Sequence, residues 1–278
     1  MTGIRKAAVA GTWYPGTAAA LASAVDAHLA NADRASRDVA GDLTALICPH
    51  AGLRYSGPVA AHAYRLLRDR AFDVAVLVGP SHFVGFDGVA IHPAGGFETP
   101  YGVARIDEAA AHAVLSASPI VREHGAAHVR EHSLEMQLPF LERLAPDVPI
   151  VPLVMGYQTA DTAFALGDAL AAALRGRTAL LIASTDLSHY HDAATASRLD
   201  RVVVECVESF DADALQAALT GNPDHACGGG PTVAVMRAAR NAGAHDARIL
   251  NYADSGDVSG DKSAVVGYLA AALGNFAR

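Results

Sequence analysis

ALICPHAGLRYSG spans residues 45–57. Its apolar start, Ala45 to Cys48, reads as a buried strand that stops at Pro49, and the next residue is His50. Asn, Asp or Ser serve a plain turn more cheaply, so an imidazole at a strand exit raises a question: do other strands end the same way? DVAVLVG (73–79) runs into Pro80-Ser81-His82, and TALLIAS (178–184) runs into Thr185-Asp186-Leu187-Ser188-His189. One such histidine is an ordinary loop residue. Three in equivalent places point to a shared site, because ligands of open α/β sheets gather beyond the carboxyl ends of the strands.

Further buried strands are expected at 148–155, 246–252 and 263–269, besides 43–48, 73–79 and 178–184. Their hydrophobicity is continuous rather than alternating, as in strands covered on both faces. Helical patterns fall at 17–32, 57–70, 107–117, 131–144, 159–175, 192–209 and 230–242. Asp107 and Asp161 are the expected N-caps, and Gly243 the expected stop of the last helix. Residues 86–102 read as a short strand and an irregular loop. No repeat or linker interrupts the chain. The fold class is therefore α/β, one domain over 1–278, with a mixed sheet sandwiched by helices.

Composition narrows the function. Of 278 residues, 51% are hydrophobic and 18% charged, which allows a large core and argues against disorder. The formal net charge is −8 and the only lysines are Lys6 and Lys262, a poor surface for nucleic acid. No apolar run reaches the roughly 20 residues that span a bilayer. No secretory h-region precedes Trp13, and Cys48, Cys206 and Cys227 form no CxxC pair. A reducing, cytoplasmic location is the expectation.

Cys227, in HACGGGP (225–231), precedes the helix 230–242. At a helix start the positive dipole end is expected to lower its thiol pKa. Two imidazoles and one anionic ligand, with positions left open, suit a catalytic divalent metal. We assign His50, His82 and Cys227 as ligands and leave His189 free as acid–base. Asp186 then orients His189 or supports a ligand.

Several stretches in the same order resemble the Memo family (mediator of cell motility): AGTWYPG (10–16), CPHAGLRYSG (48–57), GPSHF (79–83), EHSLEMQLPFL (131–141), STDLSHY (184–190), CGGGP (227–231) and YADSGDVSGD (252–261). The resemblance covers nearly the whole chain. It implies a fold similar to class III extradiol dioxygenases, which bind non-haem iron(II). It also places His50, His82 and Cys227 at the metal and His189 at the catalytic histidine. Those dioxygenases use a carboxylate where this chain has Cys227, and the softer thiolate brings copper or zinc forward beside Fe(II). The family resemblance further implies an AmmeMemoRadiSam setting, with AMMECR-type and radical-SAM proteins as partners. It also leaves open a peptide- or partner-binding role for the site, and the same ligands would serve zinc hydrolysis with His189 or Glu135 as base.

Trp13, Tyr55 and His132 are the expected substrate-facing residues. Glu135 reads first as a solvated or helix-start carboxylate. His124, His128 and His132 recur every four residues and form a rival ligand set on one helix face. The segment 256–263 lacks the order of a phosphate loop and reads as a loop packing over the cleft.

Overall fold

The computed structural model describes residues 3–35 and 39–277. In chain order the first half contains β1 (Ile4–Arg5), α1 (Ala18–Ala35), β2 (Gly41–Cys48), α2 (Leu53–Tyr64), β3 (Val74–Pro80), β4 (Val89–Ile91), β5 (Gly96–Thr99), β6 (Gly102–Arg105), α3 (Glu108–Ala117), β7 (Val121–Glu123) and α4 (Gly125–Val129). It continues with α5 (Leu138–Leu144), β8 (Ile150–Met155), α6 (Ala160–Ala173), β9 (Ala179–Ser184), β10 (His189–His191), α7 (Ala193–Glu208) and α8 (Ala212–Gly221). The last elements are α9 (Gly229–Asn241), β11 (Asp246–Asp254), α10 (Gly256–Ser259) and β12 (Val265–Phe276).

The main sheet is mixed and runs β10-β12-β2-β9-β3-β8-β4-β7, with β11 on the other side of β12. Its centre is parallel: β2, β9, β3 and β8 pair side by side. All seven residues of β3 are buried, as continuous apolarity requires of a strand covered on both faces. Helices α6 and α9 pack together on one face and α2 lies against β2 and β12. Because β9 lies between β2 and β3, the chain exits of three neighbouring strands open onto one edge of the sheet. That adjacency brings His50, His82 and Asp186 to one place.

Asp107 caps α3 through Ala110 N–H, whereas Thr159, not Asp161, caps α6 by accepting from Thr162 N–H. Gly243 does end α9, at φ +96°. Helix α2 begins at Leu53 rather than 57, because Gly52 carbonyl already accepts from Tyr55 and Ser56 and Pro58 is tolerated inside. The pattern 131–144 is not one helix: a 3₁₀ turn at Glu135–Gln137 precedes α5. Residues 86–102 hold more strand than expected, since β5 pairs with β1 and β6 in a separate three-stranded sheet. Helix α8 lies outside the expected set. Among the described residues no helix is long and apolar enough to cross a membrane.

Candidate functional site

His50 leaves β2 two residues after its last strand position and is buried, at 2% exposure. Its backbone N–H donates to Asp186 Oδ1 at 2.7 Å. Its Nδ1 lies 2.9 Å from Ser184 Oγ, the last residue of β9. That hydroxyl has one proton, and it is given to Ser133 carbonyl at 2.7 Å. Ser184 Oγ must therefore accept from His50 Nδ1–H, as it also does from Gln137 Nε2 at 2.7 Å. The tautomer is fixed, and the Nε2 lone pair faces the Cys227 sulfur 3.2 Å away.

His82 reaches the same state by another route. Glu131 Oε1 accepts from His82 Nδ1 at 2.8 Å and from Ser133 N–H at 2.8 Å, while Oε2 accepts from the His82 backbone at 2.6 Å. Burial pushes the Glu131 carboxyl up, but the bonds and charge of His82 and the backbone donors outweigh it, and its pKa falls to about 2. An ionised carboxylate only accepts, so His82 carries a proton on Nδ1, which leaves Nε2 as the nitrogen that could meet a metal once it is unprotonated. An imidazole braced through its inner nitrogen by a carboxylate is the usual support of a metal-ligating histidine.

Three imidazoles meet here: His50, His82 and His132 each offer a nitrogen, all within 4.8 Å of one another. His132 stacks on His82 with ring centres 4.5 Å apart, and Trp13 packs against His132 itself at 4.4 Å. Cys227 Sγ lies 3.2 Å from His50 Nε2. Ligand atoms sharing one tetrahedral ion at Zn–N and Zn–S lengths sit about 3.5 Å apart. The three imidazoles thus form a donor set that a small divalent cation fits, while the Cys227 sulfur touches His50 without lying within that spacing of all three nitrogens.

Cys227 corrects one expectation. Helix α9 begins at Gly229, so the thiol stands ahead of the cap, and burial together with the Asp186 charge pushes its pKa up rather than down. Only a cation in contact with the sulfur would reverse that. Asp186 N–H donates to Cys227 Sγ at 3.3 Å and Cys227 N–H to Asp186 carbonyl at 3.1 Å, which locks the two loops together. Burial raises the Asp186 carboxyl to about 7, against the backbone N–H groups of His50 and Ala51 that lower it. Burial also holds the His50 pKa well below its ordinary value and that of His132 at about 4.

His189 stands in β10, its Nδ1 bonded to Leu187 carbonyl at 2.8 Å, and burial lowers its pKa. It is neutral at neutral pH, as a base must be. Among the other expected contacts, Trp13 joins the cluster through His132. Tyr55 is 37% exposed, with the Arg54 guanidinium over its ring. The rival set is not brought together: α4 ends at Val129, His124 packs on Phe86, and His128 packs on His92 and Phe97. Residues 256–263 form α10 and an exposed turn in which Lys262 binds Asp254 and Asp257.

Glu135 corrects another reading. It is fully buried, and its carboxylate is consumed by Arg5, Tyr14 Oη and the backbone N–H groups of Ala8 and Val9. It clamps the segment that carries Trp13 and has no lone pair aimed at a substrate. Glu131, the brace of His82, went unassigned in the sequence. The one available signal was its place directly before His132 in a motif that begins with it.

Fold and site together define an α/β protein with a histidine-rich cluster at the carboxyl ends of its parallel strands. Residues 5–272 match the family described as Memo-like protein, and the chain belongs to that family. A MEMO1 family protein of Methanothermobacter thermautotrophicus is 37% identical over 272 residues, covering 95% of this chain and 98% of the relative. One from Thermotoga maritima is 40% identical over 230 residues, 82% of each chain. The crystal structure of an uncharacterized Escherichia coli K12 protein superposes with a TM-score of 0.56 at 17% identity, over 82% of this chain and 99% of that one. That last likeness concerns the fold alone.

Proposed function

We propose that this Memo-like protein is a metal-dependent oxidoreductase whose divalent ion is held by His50, His82 and Cys227, Fe(II) first and copper second. The observation that carries the reading is the pair of braced imidazoles. His50 and His82 are each held through Nδ1 by unrelated partners, which turns Nε2 of both toward the site, and the Cys227 sulfur touches Nε2 of His50. Bracing of this kind has little structural use in a loop and much use at a metal. His132 is the alternative third donor, and its stacking on His82 gives it the same reach.

A bound iron would supply one-electron and oxygen chemistry at positions the protein leaves open. The chain's own residues do the rest. His189, neutral and half-buried, takes a proton from an ionisable substrate hydroxyl at Nε2, since Nδ1 is tied to Leu187 carbonyl. Asp186 fixes the His50 backbone and, through Cys227, the distance between the two ligand loops. Trp13 and the exposed ring of Phe83 pack at an angle around His132 and give the site an aromatic border.

Metal content decides the ligand set. His50→Ala and Cys227→Ser should each lose iron on anaerobic loading while His132→Ala keeps it. Unchanged metal in the first two would defeat the assignment. A second reading, a pocket for a peptide or partner protein, is favoured by exposed aromatics near the strand exits, Phe83 at 46% and Tyr190 at 78%. Peptide binding that survives full metal removal would bring it forward. Zinc hydrolysis would have to use His189 as base, because Glu135 is fully engaged.

A further inference from the structure

Helix α7 buries Ala196, Val203 and Val207, and the same stripe carries Asp200, which is 0% exposed. An acid in an apolar stripe is costly unless its oxygens are met. Both are met here: Oδ1 accepts from Ser188 N–H at 2.9 Å, and Oδ2 accepts from the Tyr252 hydroxyl at 2.7 Å. Gly267 of β12 makes the room, because a Cβ at that position would collide with Oδ2. The chemistry proposed above gives this acid no task.

Ser188 immediately precedes His189. It is also stitched to β12, where Gly267 N–H donates to Ser188 carbonyl at 3.0 Å and Leu187 N–H to Gly267 carbonyl at 2.8 Å. Just beyond, the ladder is irregular. His189 pairs with Val266 and His191 with Val265, so Tyr190 is an extra residue, and its φ of +62° lies in the left-handed region. A tyrosine keeps that conformation only where its surroundings hold it, and bulges of this kind re-aim side chains beside active sites. At this bulge His189 turns back on its own chain. Its Nδ1–H meets the Leu187 carbonyl at 2.8 Å, and Nε2 is the nitrogen left to accept.

We propose that Asp200 is a positioning residue: by holding Ser188 N–H it fixes the bulge on which His189 keeps Nδ1–H against Leu187 carbonyl and Nε2 available for a proton. This rests on the reading of His189 as the proton acceptor. Tyr252 and Gly267 orient the carboxyl from β11 and β12, which gives the start of the stretch 252–261 a part in the site.

The test is ring ¹⁵N NMR of His189 in the metal-free full chain at neutral pH, with His50 as internal reference. In the wild type the two His189 nitrogens should be well separated, Nδ1 protonated and Nε2 bare. Asp200→Ala and, from the opposite side, Gly267→Ala should each draw the two resonances toward the averaged pattern of a free imidazole, while those of His50 stay in place. Tyr252→Phe, at an exposed ring, should move them the same way by a smaller step. Asp200→Asn can present its oxygen to Ser188 N–H and its amide to the Tyr252 oxygen, and should keep the wild-type pattern. His189 resonances unmoved in Asp200→Ala, Gly267→Ala and Tyr252→Phe would overturn the proposal, as would an Asn variant averaged as far as the Ala one. Turnover plays no part in this measurement. The oxidoreductase reading falls separately, if His189→Ala leaves oxygen uptake by the iron-loaded chain unchanged.

Discussion

Two buried carboxylates flank the imidazole cluster, Glu131 beside His82 and Asp186 beside His50, and they ionise in opposite directions. Glu131 falls to about 2 and Asp186 rises to about 7. Burial alone would raise both. Glu131 accepts three hydrogen bonds, one of them from the side chain of His82, which gains most by pairing with a carboxylate. Asp186 accepts only two backbone N–H groups and faces an imidazole kept neutral by its own burial. Burial weighs most on both carboxyls, and the number and kind of donors decide whether it is overcome. One flank is therefore an electrostatic brace, and the other is a hydrogen-bonded spacer between two loops.

The largest effect should follow loss of a braced imidazole. His82→Ala should weaken metal binding at least about a hundredfold, more than the loss expected for any bracing residue. Competition with a chelator reads it, and affinity within threefold of wild type would put the ion elsewhere. Next comes the brace itself. Glu131→Gln cannot present two acceptor oxygens to His82, and should cost about 10–100-fold in metal affinity. It should also shift the ring ¹⁵N resonances of His82 toward a mixed tautomer, whereas unchanged resonances would make the carboxylate merely structural.

Removal of Glu135 should instead spare the metal and hurt the fold. Glu135→Ala strands the Arg5 guanidinium in the core, a loss of roughly 3–5 kcal/mol. The readout is the midpoint of chemical denaturation beside metal affinity. A variant that is fully stable, or one that loses metal as severely as Glu131→Gln, would contradict the division of labour between these two residues.

The smallest effect is a pH slope. In the metal-free protein the folded Asp186, at about 7 against an ordinary 3.8, keeps a proton that the unfolded chain has lost. Its contribution favours the fold fully below that ordinary value and is lost as pH rises through about 7. Glu131 acts oppositely: its stabilisation is present above its ordinary 4.5 and is lost as pH falls through about 2. Asp186→Asn keeps the acceptor for His50 N–H but stays neutral, so its stability should fall less than wild type between pH 4 and 7. Parallel slopes would contradict the raised carboxyl.

What the sequence made legible follows the same contrast. The strand exits were readable because β2, β3 and β9 are buried on both faces, and their unbroken apolar runs stop at His50, His82 and the Asp186 loop. Their convergence was inferable because open α/β sheets collect ligands at one edge. Glu131 and Glu135 were hidden in a stretch that reads as helix 131–144. Glu131 bonds Ser133 N–H two residues on and reaches across to His82, which delays the helix until Leu138. Glu135 meets partners 121 to 130 residues away, and no local pattern encodes that. The cysteine was found for its position, but its ionisation depends on burial and on Asp186, which spacing does not reveal.

Anomalous diffraction at the iron edge, from crystals grown with Fe(II) without oxygen, addresses the metal assignment most directly. A single peak about 2.0–2.3 Å from His50 Nε2, His82 Nε2 and Cys227 Sγ is the predicted result. A cluster without a peak, or a peak that engages His124 or His128 instead, would contradict it.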